Sequence, residues 1–232
     1  MIERDEVGTK DAATAAIRVG GAGVALGAVM IAVVSGLYAM SPTAATMPVV
    51  TARLPEALEA LRASDGMQLW WIGVVGLTGD VVFAAAAMMV AFGLVLRGQS
   101  IKATGWLGIA LSNIIFVSVD ALVGRTFAVV ATGTSEAGFV AVKSFSDALF
   151  ISGTFAFGAG ALLLFGPALI RSGTFSSRAI SLLGMAVGLL GAGAALICLF
   201  GADAGPLLGL AIAAGSVIFL IVGLRAATHS LV

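Results

Sequence analysis

One histidine and one cysteine are all that 232 residues hold of the two side chains most used in metal, haem and thiol chemistry. Cys198 lies alone in an apolar run, so no internal disulfide framework can form, and a thiol-ligated metal centre is excluded with it. His229 stands three residues from the C-terminus, which argues against bis-histidine haem, a histidine-rich metal site and a Ser-His-Asp triad. Charge is scarce as well, at 10% of residues where a soluble domain carries about 25%. Twelve basic and twelve acidic side chains cancel, leaving no bulk field to attract nucleic acid. Phosphate loops and nucleophile elbows are missing too; Gly158 and Gly160 in GTFAFGAGALLL sit in an apolar run with no strand before them. No cofactor is expected, and an enzyme on this chain would have to work with carboxylates.

What the sequence has is apolar length. A helix crosses the hydrocarbon core with roughly 20 residues, and six runs reach that length: 17–40, 69–96, 104–131, 139–170, 180–200 and 206–224. The expected fold is therefore all-α, a polytopic membrane protein with a bundle of six transmembrane helices and a short outer amphipathic helix. Residues 1–16 are read as an N-terminal tail, 17–224 as the transmembrane domain and 225–232 as a C-terminal tail. The mixed charges of the first 18 residues do not resemble a secretory signal, so the first run is read as a retained span.

Basic residues resist translocation and so set orientation. Arg4, Lys10, Arg18, Arg97, Lys102, Arg171, Arg178 and Arg225 fall on one side of a six-span topology, with only Arg53 and Arg62 in loops on the other. Both termini are therefore expected in the cytoplasm, with the protein in the inner (plasma) membrane. Trp70 and Trp71 are read as outer interface markers, and Trp106 as an inner one.

The outer segment 54–66, LPEALEALRASDG, carries Pro55 suited to a first turn, Glu56 and Glu59 at the positive end of the helix dipole, and Gly66 as a stop. Leu54, Leu58 and Leu61 share a face, which predicts an amphipathic helix lying on the outer membrane surface or over the mouth of the bundle. Within the spans, Gly23 with Gly27 and Gly184 with Gly188 form small-xxx-small pairs that allow close helix approach, inside one bundle or between copies.

Ionisable residues within spans cost roughly 2.5 to 3.5 kcal/mol each at mid-membrane and so demand an explanation. Asp80, nine residues beyond Trp71, is placed roughly 13 Å inside the outer belt. Asn113, seven residues from Trp106, is read at a similar depth, and an Asp80–Asn113 hydrogen bond is expected. Asp120 shares the face of Asn113, while Arg125 reaches outward or toward a neighbouring acid. Lys143 and Asp147 in VAVKSFSDALF are one turn apart and are expected as an exposed interfacial pair rimming the outer mouth.

The stretch FGAGALLLFGPALIRSGTFSSRAISLLGMAVGLLG, with a glycine-containing span, a short SG turn beside a basic residue and LG opening the next helix, resembles a bacterial six-helix family of unknown function. Asp80 in LTGDVVF extends the likeness, whereas Ser176 and Ser177 stand where such proteins more often carry proline. The resemblance implies six helices and no established activity. Three functions are compatible with these residues. One is an outward-opening polar pocket, formed by Asp80, Asn113, Asp120, Arg125, Lys143 and Asp147, that binds and translocates a small solute, proton or cation. The second is a non-catalytic subunit or scaffold whose glycine faces dock on another copy or on a membrane-protein partner. The third is an intramembrane enzyme using carboxylates on a lipid-like substrate.

Overall fold

The apolar runs fold as helices with length to spare. The computed structural model describes residues 2–40, 54–63, 66–127, 129, 136–170 and 175–228. Among these residues the chain forms helices α1 (Ile2–Met40), α2 (Leu54–Ala63), α3 (Gly66–Leu96), α4 (Ser100–Ala121), α5 (Glu136–Ile170), α6 (Phe175–Leu199) and α7 (Gly205–Thr228), with no strand. A π-helical turn, Leu122–Phe127, continues α4. All but α2 are long and apolar enough to cross a membrane. Residues 2–16, read above as an N-terminal tail, are helical and continuous with the helix of the first span. His229, Arg53 and Arg171 lie outside the described residues.

Each long helix packs against its neighbour in chain order, and α7 returns to pack against α1. The result is a closed ring of six. Small residues line the seams: Gly23 and Gly27 of α1 lie against Ala86 and Phe83 of α3, and Gly188 of α6 lies against Gly158 of α5. The small-residue pairs are thus used within one bundle. The α4–α5 seam is also close, since a Cβ on Gly160 would come within 2.8 Å of the Gly105 carbonyl oxygen. Ser112 Oγ ties the same seam by donating to the Gly153 carbonyl at 2.8 Å.

Among the side-chain clusters that fill the ring, two bear on the site. Toward the end marked by Arg97, Phe219 of α7 meets Phe83, Trp106, Phe157 and Phe165 at centroid distances of 5.5 to 5.9 Å. Trp106 is therefore a core residue, 2% exposed, and not the interfacial marker its sequence position suggests. Trp70 and Trp71, by contrast, are exposed. Near these tryptophans, α2 buries Leu58 and Leu61 among Leu69, Ile72, Phe127 and Phe139. Burying two leucines stabilises the contact by about 3 to 6 kcal/mol relative to water. The amphipathic helix thus lies on the bundle, as a lid, with its apolar face away from lipid.

The α3–α4 turn sets the register of the site. Gly98 adopts φ +70°, Gln99 N donates to Leu94 O, and Gly98 N donates to Val95 O, both at 2.9 Å. This closure ends α3 on glycine in the left-handed region and sends α4 straight back along it.

Candidate functional site

Counting outward from Gly98 predicts which residues of α3 and α4 meet. Gly76 and Asp120 each lie 22 positions from it, and Gly73 and Gly124 lie 25 and 26 positions away. The contacts follow that register. A Cβ on Gly124 would sit 2.9 Å from Gly73 Cα, and a Cβ on Gly76 would overlap the Asp120 carboxylate. Glycine at position 76 makes the space that Asp120 occupies.

Asp80 lies one turn beyond Gly76, only 3% exposed, and its carboxyl lies beside that of Asp120. Ionised carboxylates are acceptors only. A hydrogen bond between two of them therefore requires one proton, and two full negative charges at contact in a low-dielectric seam would repel strongly. Two carboxyls so placed can hold one proton between them. The π-helical turn begins two residues after Asp120, and such turns widen the helix at functional positions.

The expected Asp80–Asn113 bond is not made. Asn113 Nδ2 donates to its own helix, at 2.8 Å from Ile109 O. The expectation rested on depth along each helix, and depth does not fix which helix faces meet. Asn113 instead lines a small cavity on the ring axis together with Ser216.

Lys143 donates to Asp147 Oδ1 within α5. At 4% and 14% exposed, these side chains form a buried ion pair and not the exposed rim pair expected of them. Tyr38 of α1 and Cys198 of α6 lie within electrostatic range of Asp147. Arg125 is exposed on the π-helical turn, and among the described residues no ion pair joins it to Asp120.

The polar residues thus resolve into separate places. Asp80 meets Asp120 across the α3–α4 seam, Lys143 meets Asp147 on α5, Asn113 stands at the axis, and Arg125 is outside. They do not converge on a single open pocket, and α2 covers part of that end. Sequence reasoning missed Tyr38, Ser216 and the enabling role of Gly76. Only Gly76 left a legible signal, through its equal spacing with Asp120 about the turn. Among the described residues no group of three or more His, Cys, Asp or Glu side chains could hold a metal ion.

No protein-family model matches the chain, no curated protein is detectably similar to it, and no solved structure matches its fold. The likeness seen in the fourth and fifth spans rests on the quoted residues alone.

Proposed function

We propose that this chain is a multi-pass protein of the inner (plasma) membrane, both termini cytoplasmic, that binds a proton and a small cation or solute and carries the latter across. The single observation that supports the reading best is the buried pairing of the Asp80 and Asp120 carboxyls across the α3–α4 seam. Isolated carboxyls this deep in apolar helices are costly and mark proton or ion pathways. A pair that shares one proton can release it or exchange it for a cation when the ring opens. The ring supplies the rest of a carrier's needs. An aromatic plug stands toward the Arg97 end, and α2 lies as a lid at the opposite, outward end assigned by the asymmetry of basic residues.

The scaffold alternative draws no support from the glycine pairs, since Gly23, Gly27 and Gly188 are consumed by contacts within the ring. The test is flux in liposomes reconstituted with the purified chain and a trapped pH-sensitive dye. Wild-type protein is expected to dissipate an imposed pH gradient when a permeant-sized cation is supplied. Asp80→Asn and Asp120→Asn are each expected to abolish that flux while eluting as the wild type does, because an amide can still donate to the remaining carboxylate. Undiminished flux in both variants would overturn the reading.

A further inference from the structure

The ring axis holds a cavity that the carboxyl pair does not explain. Its volume is about 20 Å³, room for one water-sized occupant. Five of the six long helices reach it, with Ile31 from α1 and Ile212 from α7 among its apolar walls. Its polar lining comes from two side chains, Asn113 and Ser216, each 4% exposed.

The hydrogen bonds settle what these side chains offer. Asn113 Nδ2 donates to Ile109 O, so the nitrogen is identified and the other atom is the amide oxygen. Among the described residues, no protein donor is bonded to that Oδ1. Ser216 Oγ spends its hydrogen on Ala213 O at 2.8 Å, leaving its lone pairs. Both groups therefore present acceptors. The remaining walls include Phe83, Phe116, Phe157 and Phe219. Phenyl rings are the apolar side chains that best tolerate a cation, and no basic residue lines the cavity. Asp120 lies seven residues, about 10 Å, along α4 from Asn113. With one proton shared as proposed above, the Asp80–Asp120 pair carries one negative charge, which acts on the cavity through a low-dielectric interior.

We infer that this cavity is the seat of one desolvated monovalent cation of ammonium size, held by Asn113 Oδ1 and Ser216 Oγ among phenyl rings. The inference deepens the carrier reading by naming the substrate class. It is tested separately from flux.

The purified chain is melted in detergent at constant ionic strength while ammonium chloride replaces choline chloride, because a ligand that binds only the folded state raises the melting temperature saturably. A saturable, ammonium-specific rise is expected, absent with tetramethylammonium, which is too large for the space. Ser216→Ala, whose hydroxyl bonds only its own helix, and Asn113→Leu are each expected to raise the apparent dissociation constant at least tenfold. Asp80→Asn, which keeps one negative charge on Asp120, is expected to retain the rise. No ammonium-specific rise in the wild type overturns the inference, as does an undiminished rise in Ser216→Ala, or an equal rise with tetramethylammonium. If that happens while flux still depends on Asp80, the carrier reading survives alone. If the rise behaves as expected while flux ignores Asp80, the cation seat stands and the carrier reading falls.

Discussion

Asp120 lays its carboxylate across Gly76, and the two residues stand at equal distances from the turn at Gly98. A methyl group at position 76 and the carboxylate cannot share that space. Gly76→Ala is therefore expected to destabilise the protein by about 1 to 3 kcal/mol, the usual cost of overpacking. Gly36→Ala is the matched control, since a Cβ there meets nothing within 4 Å. Thermal or denaturant unfolding in detergent would reveal the difference. Equal stability of the two variants would mean that Asp120 does not depend on the space at Gly76.

Lys143 and Asp147 form a buried ion pair, and such pairs are valued mainly by what happens when one partner is removed. Lys143→Met leaves the Asp147 carboxylate without its ammonium, an expected loss of about 3 to 5 kcal/mol. Adding Asp147→Leu to that variant is expected to restore most of the loss, because the double variant buries no charge. A double-mutant cycle on unfolding midpoints measures the coupling. If the double variant is no more stable than Lys143→Met, the two side chains are not coupled.

The lid holds through Leu58 and Leu61, whose side chains are almost fully buried beside Phe139. Replacing both leucines with serine removes the apolar contact and is expected to expose the wall beneath. In a background where Cys198 is replaced by alanine, Phe139→Cys is expected to react slowly with a membrane-impermeant maleimide, and at least tenfold faster once both serines are present. Equal rates would show that α2 does not shield this wall.

Much of the architecture was legible in the sequence because membrane spans are written in continuous apolar length. All six long helices and the amphipathic α2 fall where the runs of LPEALEALR and its neighbours place them. The site was legible only in its parts. Asp80, Asp120, Lys143 and Asp147 stand out as ionisable residues among apolar ones, yet which of them meet depends on register. Trp106 misled as a boundary marker, since an indole reads the same in a sequence whether it faces headgroups or Phe219. A turn glycine such as Gly98 is the better origin for counting, because hairpin closure fixes both arms. Ser216 gave no warning, as a lone serine in an apolar helix is unremarkable until its cavity is known. Lys143 and Asp147 looked exposed because their helix has apolar residues to spare after them, and length alone does not reveal which face is covered.

The ring closes only when its last helix meets its first, and that same helix carries Phe219. Until α7 is synthesised, Phe83, Trp106, Phe157 and Phe165 have no common partner, and the wall has a gap between α1 and α6. Docking of α7 therefore both closes the ring of helices and fills its centre.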